Sequence, residues 1–341
     1  MKVKKSKSMN ILIIGGTKFI GYFVTRQLVE RGHSVFLFNR GNNHTDFPEN
    51  IIHIKGDRKD LLSFKRKFDS IQADVIVDMI PIGDEDSNNL MKTASGIVGR
   101  VVAISSCDVY RAYGRLTGLE PGPPDVTPLT ELSPLRDKLF PFRYHAKSNG
   151  MKRYEKILVE RNVLNHDSIK GTILRLPMVY GPKDYQFRFH QYLQRMDDNR
   201  KFIIIDGRTA GWKTTRIYVE DAAHAIVLAI ENKNAEGEIF NVAETSIFTE
   251  KEFIQRIAHI VGWTGEVIIY PAKSDDEFPQ QDLVIDSTKI RNLLKYESLT
   301  TEEEAYNRTI NWERANRVKE MKLNYNFDDD LFKEYIHSHR N

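Results

Sequence analysis

Ile11-Leu12-Ile13-Ile14-Gly15-Gly16-Thr17-Lys18-Phe19-Ile20-Gly21 decides the fold. Four apolar residues run into a glycine pair, and a stripe of Ile20, Val24 and Leu28 follows at helical spacing and stops near Gly32. The pattern is strand, tight turn, helix. Gly15 permits the sharp turn and Gly21 lets helix and strand pack closely. The helix N-terminus offers free N–H groups and the positive end of its dipole to a diphosphate. Gly15, Thr17, Lys18, Phe19, Ile20 and Gly21 are therefore the expected cradle of a dinucleotide. A triphosphatase P-loop is excluded, because Tyr22 follows Gly21 where Lys and Ser or Thr are needed.

Working outward, short apolar runs recur at 35–38, 51–54, 75–77, 101–104 and 172–174, with helical patterns between most of them. Strands apolar on both faces, separated by helices, mean a parallel sheet covered on both sides. The stretch Arg216 to Val242 reads as a return to that sheet: a strand, a helix over Ala222–Ile230, and a strand at Ile239–Val242. After Pro177 helical patterns dominate, with isolated strands near Ile203 and Val267. The expected class is α/β, a doubly wound sheet over 1–178 with 215–243 returning to it. A smaller α/β substrate domain takes 179–214 and 244–341. Residues 120–141 hold six of the twelve prolines and read as a long irregular loop, either a lid or a surface excursion.

The second strand ends in Asn39-Arg40-Gly41. A carboxylate there would accept from the ribose hydroxyls of NAD, whereas an arginine pairs with a 2′-phosphate and stacks on adenine, which favours NADP over NAD. Gly56-Asp57-Arg58 follows the third strand. Asp57 is placed either to accept from the adenine amino group or to serve as a turn residue.

Composition sets the outer bounds. The 341 residues carry a formal charge of +3, but Lys2, Lys4, Lys5 and Lys7 supply four of the positives, so the remainder is slightly acidic. That argues against a nucleic-acid surface. A single cysteine, Cys107, excludes an intramolecular disulfide and fits a reducing compartment. Beside Ser106 it is a nucleophile or an inert buried thiol. No apolar run is long enough for a membrane span, and Ile11–Ile14 is too short for the core of a signal peptide, so a cytoplasmic protein is expected. The ten histidines are scattered without metal-ligand spacing, so no metal is expected. The nucleophile elbow Gly-x-Ser-x-Gly of hydrolases does not occur. Arg188, His190 and Trp212 are candidates for a substrate pocket.

Eight segments in order, IIGGTKFIG (13–21), GDRKD (56–60), ISSCDVY (104–110), KILVE (156–160), ILRLPMVYGP (173–182), RIYVEDAAHA (216–225), FNVAE (240–244) and RTINW (308–312), resemble the extended short-chain dehydrogenase/reductase family of nucleotide-sugar epimerases and dehydratases. The resemblance spans nearly the whole chain. It implies a Rossmann domain binding NAD(P), a C-terminal substrate domain, and a homodimer formed through the lysine-bearing helix and its neighbour. Ser106 matches the serine that hydrogen-bonds the reacting oxygen, Lys156 the lysine that holds the nicotinamide ribose, and Arg216 an arginine that contacts a nucleotide-sugar diphosphate. The forms GGTKFIG, FNRG and SSCDVYRAYGRL resemble an atypical branch whose relatives include chloroplast stem-loop RNA-binding proteins.

Two positions depart from the family. Lys18 replaces the middle glycine of the turn. More seriously, the family's base is a tyrosine four residues before the lysine, and none of the 14 tyrosines has Lys at i+4; that place is Lys152. Spacing of four puts both groups on one helix face, where the ammonium lowers the phenol's pKa. Tyr154, two residues before Lys156, is expected to face away on a continuous helix and join the core. Tyr144, in the preceding loop, is the candidate proton carrier, with Asp108 and Tyr113 as further candidates. The reading is an NAD(P)-dependent epimerase, dehydratase or reductase acting on a nucleotide-sugar or similar polar substrate. The alternative is a non-catalytic NADP-sensing or RNA-binding protein on the same scaffold.

Overall fold

The computed structural model describes residues 7–43, 45–48, 50–270 and 280–339. Lys2, Lys4 and Lys5, three of the four N-terminal lysines, lie outside the described residues. The first six strands are β1 (Asn10–Ile14), β2 (Ser34–Asn39), β3 (Ile52–Lys55), β4 (Val75–Asp78), β5 (Arg100–Ser106) and β6 (Lys170–Leu176). The later ones are shorter: β7 (Met178–Tyr180), β8 (Phe202–Asp206), β9 (Lys213–Thr214), β10 (Arg216–Tyr218), β11 (Ile239–Asn241), β12 (Phe248–Thr249) and β13 (Glu266–Tyr270).

Seven strands form one sheet in the order β11-β6-β5-β4-β1-β2-β3, and every pairing in it is parallel. The apolar runs are continuous because both faces are covered: Ile11, Leu12, Ile13, Val77, Val101 and Val102 are fully buried. On one face the helices Phe19–Glu30 and Val219–Glu231 close a core with Val24, Leu28, Ile226 and Ile230. On the other, Leu90 and Met91 of helix Asp84–Ala94 and Val159 and Val163 of helix Lys156–Leu164 close a second. The chain turns back between β1 and β4, and in such sheets ligands bind in the crevice at the carboxyl ends of the strands there.

The return to the sheet differs in one respect from the expectation. β11 pairs with β6 and completes the sheet, but β10 pairs only with β7, parallel, in a two-stranded ribbon. β8 and β13, the isolated strands near Ile203 and Val267, pair with each other. One continuous core joins sheet and C-terminal region, running from Ile11 through Phe189 and Phe253 to Ile310. The proline-rich stretch is irregular yet anchored. Leu129 and Arg136 are buried, and isolated bridges join Tyr110 to Leu135 and Leu129 to Ile285. Among the described residues no helix is long and apolar enough to cross a membrane.

Candidate active site and cofactor crevice

The turn after β1 needs its glycines. Gly15 and Gly16 stand at φ +99° and +83°, in the left-handed region that costs other residues energy. A Cβ on Gly21 would lie 2.8 Å from the Gly16 Cα, so the first helical turn rests directly on the glycine pair. The Thr25 hydroxyl donates to the Gly16 carbonyl at 2.9 Å and the Gly15 N–H to the Phe38 carbonyl at 3.0 Å, which locks the turn to the helix and to β2. Thr17 receives the Asn43 amide at 3.2 Å, Phe19 is buried and Ile20 half-buried. Lys18 has extended backbone (φ −128°) and an exposed side chain, so nothing in the turn requires glycine there. No side chain caps helix Phe19–Glu30, and no acid sits in its first turn. Its amino end keeps its full affinity for an anion.

At the end of β2, Asn39 Oδ1 accepts from the Gly41 N–H at 2.8 Å, while its buried Nδ2 has no partner. Arg40 is exposed and makes no hydrogen bond or ion pair among the described residues. An uncapped helix start, an orphaned amide donor and a free guanidinium at the carboxyl ends of β1 and β2 fit an adenine dinucleotide. Asp57 caps the 3-10 turn Arg58–Phe64 by accepting from the Lys59 N–H at 3.0 Å. Arg58 pairs with Asp78 at 2.9 Å and with Asp86 at 3.2 Å, and donates to the Ile80 carbonyl at 2.5 Å. The structure thus commits Arg58 to bridging the ends of β3 and β4.

Around the end of β5 lies a cluster of hydroxyl, carboxyl and ammonium groups. Ser106 ends the strand, and its Oγ accepts from the Asp108 N–H at 3.4 Å. Lys156 is buried, donating to the Pro81 carbonyl at 2.6 Å and the Ile104 carbonyl at 2.9 Å. Burial pulls its ammonium down to about 8, although the Asp108 and Asp78 carboxylates oppose that.

Tyr154 corrects the helical expectation. The chain does not run as one helix: Asn149–Lys152 ends, and a new helix begins at Lys156 with Glu155 as its cap, accepting from the Ile157 N–H at 2.9 Å. Tyr154 lies in the link. Its hydroxyl donates to Asp108 Oδ2 at 2.6 Å, and Lys156 Nζ stands 5.5 Å from its ring centre. Glu155 is pinned by a buried ion pair with Arg136 (3.1 Å) and by the Phe140 N–H (2.5 Å). Arg136 Nε also donates to the Asp108 carbonyl at 2.5 Å. The proline-rich stretch therefore holds both the link and Asp108 in place. Tyr144, by contrast, is 87% exposed, and no hydrogen bond joins it to Ser106 or Lys156.

Burial raises the Asp108 carboxyl above its ordinary range, against the pull of Tyr154, Arg136 and Lys156. It also raises the Tyr154 phenol, which the Asp108 carboxylate pushes further up. Tyr113 and Cys107 are raised by burial first and then by Asp108, so both stay protonated near neutrality. Cys107 is accordingly an inert buried thiol.

A cavity of about 820 Å³ brings together Arg188, His190, Trp212 and Arg216, the four residues singled out for a substrate pocket, with Leu116 and Glu250. Arg216 is buried, paired with Glu250, and lies 3.8 Å over the Phe253 ring, while its Nη1 has no partner. Arg188 pairs with Asp184 at 2.9 Å. His190 shares a hydrogen bond with the Met321 carbonyl at 2.8 Å and leaves Nδ1 free, and the Trp212 indole donates to the Gln281 carbonyl at 3.0 Å. The orphaned guanidinium N–H suits an anionic group. Among the described residues no cluster of three or more His, Cys, Asp or Glu could hold a metal.

Sheet order, glycine turn and crevice together define a Rossmann-type dinucleotide-binding protein. The chain belongs to the NAD dependent epimerase/dehydratase family, whose model matches residues 11–243. It is 25% identical over 289 residues, 80% of this chain and 69% of the relative, to the chloroplast stem-loop binding protein of 41 kDa b of Arabidopsis thaliana. It is 24% identical over 315 residues, 84% of this chain and 91% of the relative, to the UDP-glucose 4-epimerase of Lactobacillus helveticus. Among solved structures, the Bordetella bronchiseptica enzyme WbmG in complex with NAD and UDP superposes with a TM-score of 0.69 at 18% identity, covering 93% of this chain and 98% of that one.

Proposed function

We propose that this chain is an NADP-dependent enzyme that exchanges hydride with a carbinol or carbonyl carbon of a nucleotide-sugar or similar anionic polar substrate, in epimerisation, dehydration or reduction. The observation that carries this reading is the meeting of Ser106, at the end of β5, with Tyr154 and Lys156, at the start of helix Lys156–Leu164, around Asp108 and close to the sheet's switch point. Relatives named as epimerases support the class of reaction.

The nicotinamide, when bound, supplies the hydride acceptor and donor. The amide groups from Gly15 to Gly21 hold its diphosphate, Asn39 and Arg40 take the phosphorylated ribose, and Lys156 orients the nicotinamide ribose. Asp57 and Arg58 shape the adenine side, Arg58 through its bridge to Asp78. Ser106 holds the reacting oxygen, and Tyr154, rather than Tyr144, brings the phenol to it. Arg216 and Arg188 receive the substrate's diphosphate in the adjoining cavity. The same reading includes a homodimer on the outer faces of helices Asp84–Ala94 and Lys156–Leu164, which sedimentation at micromolar concentration tests.

Titration of NADPH and NADH into the protein, followed by nicotinamide fluorescence with a panel of UDP-sugars, tests the proposal. NADPH should bind more tightly than NADH. Arg40→Ala should weaken NADPH by roughly 10- to 100-fold and leave NADH nearly unchanged, from the value of a charge-assisted hydrogen bond. Absence of binding by either nucleotide at millimolar concentration overturns it.

A second reading, RNA binding, is favoured by one segment. Residues 138–154 contain Lys138, Arg143, Lys147, Lys152 and Arg153 but no acid, and they expose Tyr144. The stem-loop binding relative points the same way. RNA affinity on this strip would fall steeply with salt, and a flat salt response excludes it.

A further inference from the structure

We infer that Asp108 is the terminal acid–base group of the reaction, with the Tyr154 hydroxyl as the bridge between it and the substrate oxygen. The inference rests on the proposed hydride-transfer reading and adds to it the identity of the proton acceptor.

Three features of the cluster carry it. First, the Tyr154 proton already points at a carboxylate, with the hydroxyl 2.6 Å from Asp108 Oδ2. Second, both hydrogen bonds of Lys156 go to backbone carbonyls, its Nζ stands 5.5 Å from the Tyr154 ring centre, and no hydrogen bond joins it to the phenol oxygen. A phenol facing a carboxylate and lacking a direct ammonium partner does not become a phenolate near neutral pH. Third, Asp108 is buried, and its Oδ1 has no partner, so the carboxylate retains a free lone pair in a dry site.

The groups facing Asp108 leave it the one with a proton to exchange. Tyr113 and Cys107 are held protonated by burial. Arg136 is matched by the buried Glu155, Ser106 is neutral, and Lys156 supplies a positive charge that opposes the upward shift of Asp108. Burial moves the Asp108 carboxyl above its ordinary range.

In the oxidising direction the carbinol C–H bond would break and its hydride would pass to a bound oxidised nicotinamide. The substrate O–H proton passes to Tyr154 Oη as the phenol's own proton moves to Asp108 Oδ2. The carbinol becomes a carbonyl, Asp108 becomes a neutral acid, and Tyr154 ends as it began. Reduction runs the same transfers backward. A carboxylate with a hydroxyl bridge thus takes the place of a phenolate beside a lysine. This explains how the site forgoes a tyrosine at position 152.

The test has two arms. In the cofactor-free protein, tyrosine ionisation is followed at 295 nm for wild type, Tyr154→Phe and Asp108→Asn, and the Asp108 carboxyl is followed by carbon NMR of aspartate-labelled protein. The Tyr154 contribution should stay un-ionised through neutral pH, and Asp108 should titrate above the ordinary carboxylate range. Tyr154 ionising near neutrality overturns the inference, whether or not the protein turns over. In the second arm, turnover of Asp108→Asn should fall by roughly 100-fold or more with NADPH affinity kept, and Tyr154→Phe, which removes the bridge, should fall by at least as much. Asp108→Glu, which restores the carboxyl, should recover part of the loss and shift the acid limb of the pH profile. Asp108→Asn active within threefold of wild type refutes the inference while leaving the hydride reading intact. Wild type binding neither nucleotide refutes the hydride reading itself, and with it the catalytic role.

Discussion

Removing the charge of Glu160 should cost this protein a large share of its stability. Glu160 and Arg175 form a pair whose side chains are 4% and 2% exposed, the guanidinium reaching one carboxylate oxygen at 2.9 Å and the other at 2.7 Å. The Ser105 hydroxyl donates to the same carboxylate at 2.5 Å, and Arg175 continues to the Tyr110 hydroxyl at 3.0 Å, which itself donates to Asn241 at 2.6 Å. In Glu160→Gln the amide offers one acceptor where the carboxylate satisfied three donors, and it leaves a buried guanidinium uncompensated. Breaking such a pair costs about 3–5 kcal/mol, against a total stability on the order of 5–15 kcal/mol. The double variant Glu160→Leu/Arg175→Met removes both charges at similar volume, and Tyr110 keeps Asn241. The Ser105 hydroxyl loses its acceptor, and the Tyr110 hydroxyl oxygen and the Glu131 carbonyl each lose a donor, at about 1 kcal/mol apiece at most, so the double variant should sit within about 3 kcal/mol of wild type and above the single variant. Urea unfolding followed by tryptophan fluorescence and circular dichroism measures both. A loss below about 1 kcal/mol in Glu160→Gln, or a double variant as unstable as the single, refutes the argument. The network lies one helical turn beyond Lys156 and adjoins Ser106, so the same variant should also weaken turnover.

Gly21→Ala sets a methyl 2.8 Å from the Gly16 Cα and 3.0 Å from its nitrogen, contacts with backbone that no rotamer relieves. The strain of about 1–3 kcal/mol should appear as roughly 5- to 150-fold weaker NADPH binding by calorimetry, with secondary structure unchanged. Arg216→Gln should weaken UDP binding by roughly 10- to 100-fold while NADPH affinity holds, and equal losses in both would contradict a separate substrate cavity. Burial holds the Glu244 carboxyl up at about 7 from an unfolded value of 4.5, against the opposing Tyr180 and Tyr218 hydrogen bonds. The folded state therefore binds this proton more tightly, and the associated stability, present below pH 4.5, is lost as pH rises through 7. Asp221, raised to about 6, and Glu313, raised to about 7, act in the same sense. Glu244→Gln should remove its own share of that fall, at most about 3 kcal/mol, as read from urea midpoints at pH 5 and pH 8.

Where burial was symmetric, the fold could be read from the residues. Ile11–Ile14 and Val101–Ile104 are apolar without alternation because helices cover both sides of their sheet, and that pattern carries its own explanation. β10 shows the limit. Three residues suffice to mark a strand but not to choose its neighbour, and Arg216–Tyr218 takes β7 rather than the sheet. The sequence names Arg188, His190 and Trp212 as pocket candidates and the family resemblance names Arg216, but only folding shows that the four share a cavity.

The position of Tyr154 depends on contacts of longer range. The run Asn149 to Leu164 holds no proline and no glycine beyond Gly150, so local propensity continues the helix through Tyr154. What breaks it is Arg136, far upstream in an irregular stretch, which captures Glu155 in a buried ion pair and so leaves its carboxylate to cap a fresh helix at Lys156. Gly83 cooperates: a side chain there would collide with the Arg153 carbonyl, so its absence lets the link pass close over the end of β4, where the Glu155 N–H donates to the Ile82 carbonyl at 2.9 Å. With the helix interrupted, spacing in sequence no longer decides which side chains share a face. A tyrosine two residues from the lysine then lies on the same side as the lysine's ammonium, 5.5 Å from it at the ring centre, with its hydroxyl against Asp108. Under the proposed reading, the proton chemistry of the site is set by that carboxylate.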